Sequence, residues 1–119
     1  MRIEFLKSKI HRCRVTEADI DYEGSIDIDK ELMKKANILP YEKVLVANFK
    51  NGNRYKTYAV PCETKGSIKV NGAGALYSKL GDILMIACFA TEELEIYKQM
   101  NHKPTVIQCN EKNQIKNEV

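Results

Sequence analysis

The chain has 119 residues, 44% of them hydrophobic and 29% charged, which suffices for one core and excludes disorder throughout. Lys and Arg number 19 against 16 Asp and Glu; the resulting +3 is too mild for a dedicated nucleic-acid binder, in which a basic stripe dominates. The longest apolar run, Ile83 to Ala90, is eight residues against the roughly 18 of a membrane span, and Met1 to Lys7 lacks a signal peptide's apolar stretch, so a soluble, cytoplasmic, single-domain protein with no membrane partner is expected.

Strand signals dominate the chain. Lys9 to Thr16 mixes Val and Ile with basic residues and reads as a strand with one wet face. Asp29 to Ala36 reads as a short helix, with Asp29 as its cap, an apolar stripe at Leu32, Met33 and Ala36, and Pro40 closing the region. Val44 to Asn48 is a strand, and Asn51-Gly52 predicts a two-residue type I′ hairpin into Arg54 to Val60, ended by Pro61. Ser67 to Val70 is a further strand, followed by the small residues Asn71-Gly72-Ala73-Gly74-Ala75. Ile83 to Ala90 has no polar break and reads as a strand covered on both faces. Thr91 is the expected cap of a helix through Met100, and Thr105 to Cys109 is a last strand. Asn110 to Val119 is polar apart from Ile115 and Val119 and is expected to be a loose tail. Many short strands with two or three short helices favour a compact β-barrel.

Cys13, Cys62, Cys88 and Cys109 stand far apart. Zinc ligands two to four residues apart are missing, so the thiols read as buried or half-buried, without metal or disulfides. Lys7, Lys9, Arg12 and Arg14, with His11 among them, are either a solvated strand face or an anion or nucleic-acid patch. The Asn71 to Ala75 stretch is either a plain turn or a place where backbone N–H groups approach an anionic ligand. Glu23-Gly24-Ser25 is either a turn or a site of backbone chemistry. Gly24 has no Cβ to shield its carbonyl and tolerates strained dihedrals, so Ser25 Oγ could attack it and turn the amide into an ester.

Several segments act together. Lys9-Ile10-His11-Arg12, Val15 to Asp19, Tyr22-Glu23-Gly24-Ser25 with Ile26 to Asp29, Asn51 to Tyr58, Val70 to Ala75 and Gly81-Asp82-Ile83 together resemble the bacterial aspartate 1-decarboxylases. The resemblance covers Lys7 to Phe89; Leu76 and Tyr77 fall in a variable stretch, and the part beyond Thr91 is not diagnostic.

The resemblance implies a double-psi β-barrel assembled as a homotetramer. It implies a proenzyme that cuts itself between Gly24 and Ser25 into a β chain (1–24) and an α chain (25–119), either spontaneously or with an accessory maturation protein. Ser25 would become a covalent pyruvoyl group, forming a Schiff base with the substrate and leaving no need for a metal or external cofactor. Thr57 would support the oxyanion during self-cleavage and lie in the substrate pocket. Tyr58, otherwise a strand aromatic beside Val60, would be the proton donor. Arg54, otherwise an exposed charge by a turn, and Lys9 would meet the carboxylates of L-aspartate. Asn71, Gly72, Ala73 and Gly74 would close over it. The implied reaction is decarboxylation of L-aspartate to β-alanine and CO₂, for pantothenate and coenzyme A. The contrasting reading is an uncut barrel that binds nucleic acid through its basic N-terminal strand.

Overall fold

A computed structural model describes residues 1–118 of the protein. In chain order it comprises β1 (Arg2–Arg14), β2 (Glu17–Asp19), β3 (Ser25–Asp29), α1 (Lys30–Lys35), β4 (Lys43–Asn48), β5 (Arg54–Cys62), β6 (Ile68–Asn71), a 3-10 turn (Gly72–Leu76), β7 (Ile83–Glu93), α2 (Leu94–Met100), β8 (Thr105–Cys109) and β9 (Ile115–Glu118). Nine strands form one hydrogen-bonded run in the order β2-β6-β3-β5-β4-β7-β1-β8-β9. The pairs β1/β8, β2/β6 and β3/β5 are parallel, and the remaining neighbours antiparallel. The fold is thus mainly β with two short α-helices among the described residues.

Alternation along the strands builds one core. Ile10, Ile26, Ile28, Val46, Ile68, Leu84, Ile86 and Ile107 are fully buried, and each such side chain contributes about 1.5–3 kcal/mol on burial. In β1 the alternation changes phase. The strand bulges between Leu6 and Ser8 and again between His11 and Cys13, where Arg12 takes a φ of 64°. The second bulge lets Cys13 and Val15 continue the inward face begun by Ser8 and Ile10, while Lys9 and His11 stay on the other face.

The cap of α1 is as expected: Asp29 accepts from Glu31 N at 2.9 Å, and its second oxygen accepts from Gly66 N at 2.8 Å. Other expectations are corrected. The β4–β5 connection is no two-residue type I′ turn, because only Gly52 of the Asn51-Gly52 pair has positive φ. Asn48 N donates to Asn53 O and Gly52 N to Asn48 O, so the loop runs from Phe49 to Gly52. Pro61 does not end β5: pairing with β4 stops at Tyr58, so the missing N–H breaks no ladder there. Residues 91–93 belong to β7, paired with Arg2 to Glu4, so Thr91 caps nothing and α2 begins at Leu94. β7 is covered on both faces only around Ile86 to Cys88, and Phe89 is 43% exposed.

The polar tail is not loose. Residues 115–118 form β9 against β8, and the turn before it seats Asn113 at 2% exposure; Val119 lies outside the described residues. Asn113 Oδ1 accepts from Arg14 N at 2.7 Å, and its Nδ2 donates to the carbonyls of Arg14 and Gly66, each at 2.8 Å. It adopts a left-handed φ of 59°, which Asn tolerates better than Ala. Asn113→Ala should therefore lower stability by about 2–3 kcal/mol in urea unfolding, since it strands buried backbone groups of two other segments. A change below about 0.5 kcal/mol would mean the segment contributes no more than a surface tail.

Candidate active site

β3 starts at Ser25, which stands opposite Asn71 of β6, while Ile26 stands opposite Val70 on one side and Ala59 of β5 on the other. Because Ile26 and Ile28 fill the core, the two-residue period puts Ser25 and Asp27 together on the other face. Ser25 is 7% exposed. Its Oγ donates to Asp27 Oδ1 at 3.1 Å and accepts from Asn71 Nδ2 at 3.0 Å. Asn71 is 2% exposed, and its Oδ1 is buried with no hydrogen-bond partner among the described residues. An unsatisfied buried acceptor costs about 1–3 kcal/mol, so a donor arriving from a ligand would be favoured there.

The segment before Ser25 is held by backbone contact. Gly72 has a φ of 71°, and a Cβ built on it would lie 2.7 Å from Gly24 Cα, 3.0 Å from Gly24 N and 3.2 Å from Tyr22 O. Glycine is required twice over, by dihedral and by space. Gly74 is the other tight point, its added Cβ falling 3.0 Å from the Tyr55 ring, whereas Ala73 between them is exposed. Lys69 adds a second hold: its Nζ lies 4.3 Å over the Tyr22 ring and 3.4 Å from Glu17 Oε2. Gly24 itself is outside the left-handed region, and an added Cβ would meet nothing within 4 Å. The strained dihedral expected at Gly24 is therefore not of the left-handed kind; the glycine that packing demands is Gly72.

β5 carries the next residues. Ile26 stands beside Ala59 on β5, and Thr57 and Tyr58 precede Ala59 on that strand as Gly24 and Ser25 precede Ile26 in sequence. Thr57 is half-buried; Tyr58 is 40% exposed, with the Tyr41 ring 6.5 Å away. Arg54 lies at the start of the same strand, and its guanidinium reaches Gly52 O at 3.4 Å.

Lys9 and Arg54 come together elsewhere on the sheet. The register aligns His11, Met85, Ala47 and Arg54 across β1, β7, β4 and β5. With Lys9 and Phe49 they line an open cleft of about 370 Å³. His11 meets the Phe49 ring edge-on at 5.6 Å, and Arg12 lies 5.0 Å over it. The His11 pKa is lowered, first by burial and then by the charges of Lys9 and Arg12. One chain thus has two assemblies: Gly24, Ser25, Asn71 and Gly72 at the start of β3, and a cationic cleft with Lys9 and Arg54. Along the sheet, β5, β4 and β7 intervene between β3 and β1.

Asp27 belongs to the first assembly although no separate role was expected of it, and its two-residue spacing to Ser25 on a strand could have shown it. His11, expected only as a member of the basic cluster around Lys9, is brought beside Arg54 by the cross-strand register. Among the described residues no three His, Cys, Asp or Glu side chains cluster as a metal site would need. Burial raises the Cys13 thiol strongly, raises Cys88 and pushes Cys109 up to about 11, which disfavours their thiolates.

The sequence profile of the aspartate decarboxylase family matches residues 1–116. The chain belongs to the aspartate decarboxylase family. It is 46% identical over 115 residues to the aspartate 1-decarboxylase of Campylobacter fetus subsp. fetus, covering 97% of this chain and 98% of that one. It is 47% identical over 118 residues to the aspartate 1-decarboxylase of Helicobacter hepaticus, covering 97% and 94%. To that of Thermoanaerobacter pseudethanolicus it is 50% identical over 109 residues, covering 91% and 92%. Both assemblies lie within the matched residues, so family membership bears on the cationic cleft as well as on Ser25.

Two predictions follow from this geometry. Gly72→Ala should displace Gly24 and slow any chemistry at the Gly24–Ser25 bond at least tenfold, read by intact mass against time; an unchanged rate would mean the contact is dispensable. In Lys9→Met, the His11 midpoint followed by NMR should rise towards the ordinary value of about 6.5. The sign follows from the lowered pKa: the unfolded chain binds more protons between the two values, so stability is lost as pH falls through that window. That acid loss should shrink in Lys9→Met, and a midpoint that stays put would remove Lys9 as a cause.

Proposed function

We propose that this aspartate decarboxylase family member converts L-aspartate to β-alanine and CO₂, supplying pantothenate synthesis in the cytoplasm, with a pyruvoyl group made from its own Ser25. The observation that carries this is the Ser25 Oγ, oriented by Asn71 and Asp27 beside the Gly24–Gly72 contact. Attack by Oγ on the Gly24 carbonyl carbon, with rupture of the Gly24 C–N bond, gives an ester. Elimination from it frees the Gly24 carboxylate, parting residues 1–24 from 25–119, and leaves a dehydroalanine at 25 that water hydrolyses to the pyruvoyl group with release of ammonia. Thr57, two residues before Ala59 on the neighbouring β5, offers a hydroxyl to the oxyanion. The residues fit the group: Ser25 is buried, and its neighbour Asn71 has a vacant acceptor where an amine would find a partner. Once formed, the pyruvoyl group supplies the electron sink that accepts the pair left when CO₂ departs.

The remaining roles belong to side chains. Tyr58, next to Ala59 on the strand beside β3, carries the phenolic O–H that returns a proton to the α-carbon. Lys9 and Arg54 suit the two carboxylates of the substrate, Arg through its planar fork and Lys as a point charge. Asn71 hydrogen-bonds Ser25 and Gly72 packs on Gly24; with Ala73 and Gly74, whose small side chains let the backbone come close, they would close over the substrate. Because the cationic cleft and Ser25 are separated along the sheet, a complete site requires either that the sheet close into a double-psi barrel or that neighbouring copies meet. We take both to hold, in a homotetramer. Exposed Leu39, Tyr41, Phe49 and Leu80 supply apolar surface for such contacts. The nucleic-acid alternative lacks support, since the basic residues of β1 form no single stripe. Lys7 pairs with Glu42 at 2.7 Å, and Arg12 covers Phe49.

Comparing variants on the same samples tests the reading. Ser25→Ala should stay full length by intact mass and form no β-alanine. Tyr58→Phe should still be cut, with kcat lowered about 10²–10⁴-fold. β-Alanine formed by uncut Ser25→Ala would overturn the pyruvoyl chemistry, and parental turnover by Tyr58→Phe would overturn the proton donor.

A further inference from the structure

We propose that Asp27 is a catalytic residue of self-cleavage, the base that takes the Ser25 Oγ proton and returns it to the departing nitrogen. The inference rests on the reading that Ser25 attacks Gly24, and adds the group that makes the attack possible. A serine hydroxyl has one hydrogen and two lone pairs. Here the hydrogen points to Asp27 Oδ1 at 3.1 Å, and Asn71 Nδ2 occupies one lone pair at 3.0 Å. One lone pair remains for a carbonyl carbon. Asp27 and Ser25 share a face of β3 because Ile26 between them is held at zero exposure in the core, so the strand register keeps the carboxylate on the Ser25 face.

The surroundings leave this carboxylate for Ser25. Its cross-strand neighbours are Val60 on β5 and Lys69 on β6. Val60 offers no proton. Lys69 is turned towards Glu17 and the Tyr22 ring, and no ion pair joins it to Asp27 among the described residues. Half-buried at this position, Asp27 is also within reach of small solutes.

The proton balance closes without any other reactant. As the Oγ–C bond to Gly24 forms, the Oγ proton moves to the Asp27 carboxylate and the Gly24 oxygen takes the negative charge. The ring closed is five-membered, through N, Cα and Cβ of Ser25. When the Gly24 C–N bond breaks, its electron pair goes to the Ser25 nitrogen. The Asp27 carboxylic acid gives its proton to that nitrogen, the oxyanion reforms the carbonyl, and an amine and an ester remain. Asp27 has passed on the proton it took and ends as it began, beside the new group.

Cleavage of freshly made full-length chains, timed by intact mass, tests this. Asp27→Asn keeps the shape but is a far weaker base and should cleave about 10²–10⁴-fold more slowly. Asp27→Ala should be equally slow, and added formate should accelerate it in a saturable way while formamide does not. A merely structural role would not respond to formate. Parental cleavage rates in either variant, or a slow Asp27→Ala that formate leaves unchanged, would overturn the assignment. If Asp27→Ala melts early, the decision passes to Asp27→Asn: slow cleavage with parental thermal unfolding supports the base, and a parental rate removes it. A parent chain that never cleaves would overturn the reading of Ser25 itself, an outcome separate from parental cleavage with indifferent Asp27 variants.

Discussion

The antiparallel pairing of β3 with β6 is the constraint on which the site depends. It sets Ser25 opposite Asn71, and the chain leaving β6 at Gly72 then turns back against Gly24. Sheet register has a period of two, so a slip of one residue would send Ser25 into the core and Ile26 out of it. What prevents the slip is apolar: Ile26, Ile28 and Ile68 have no exposure, and Val70 has almost none. The chemistry at Ser25 is thus positioned by side chains that take no part in it.

The cationic cleft depends on a different device. Without the bulge at Arg12, the inward phase of β1 could not pass from Ile10 to Cys13 and Val15 while Lys9 and His11 kept the opposite face. Arg12 takes the unfavourable φ, and its guanidinium recovers contact over Phe49. The cleft gathers positive charge, and the His11 pKa is lowered first by burial and then by the charges of Lys9 and Arg12.

Much of this was legible in the sequence where the determinants are local. The Asp29 cap, the strands around Val44 to Asn48 and Thr105 to Cys109, and the turn after Val70 each follow from neighbouring residues. The Tyr22-Glu23-Gly24-Ser25 segment and its companions identified the family from residues spread along most of the chain. What failed to show was non-local. Asn113 reads as one more polar residue in a polar tail until β9 brings it between Arg14 and Gly66. Pro61 reads as a terminator because nothing in the sequence says that its strand has lost one neighbour by then. Gly72 reads as a flexible residue in a small-residue run; its need for glycine comes from Gly24, 48 positions earlier.

The hydrogen bonds at Ser25 are unequal in a way that favours reaction over rest. A resting hydroxyl is stabilised by any donor and acceptor, and Asn71 and Asp27 supply one of each. Yet Asn71 spends its amide on Oγ while its own oxygen goes unpaired in a buried place. Such an arrangement persists only where surrounding structure overdetermines it. The strand pair and the Gly24–Gly72 contact do so here. An Asn whose amide faces Oγ cannot accept the serine proton, so the hydroxyl is left a single outlet, towards Asp27. Reversing the amide would pair Asn71 with the hydroxyl hydrogen and leave Oγ poorly placed to lose it. The orphaned oxygen is therefore the counterpart of an oriented hydroxyl: satisfying it by reversing the amide would turn the serine's proton away from Asp27.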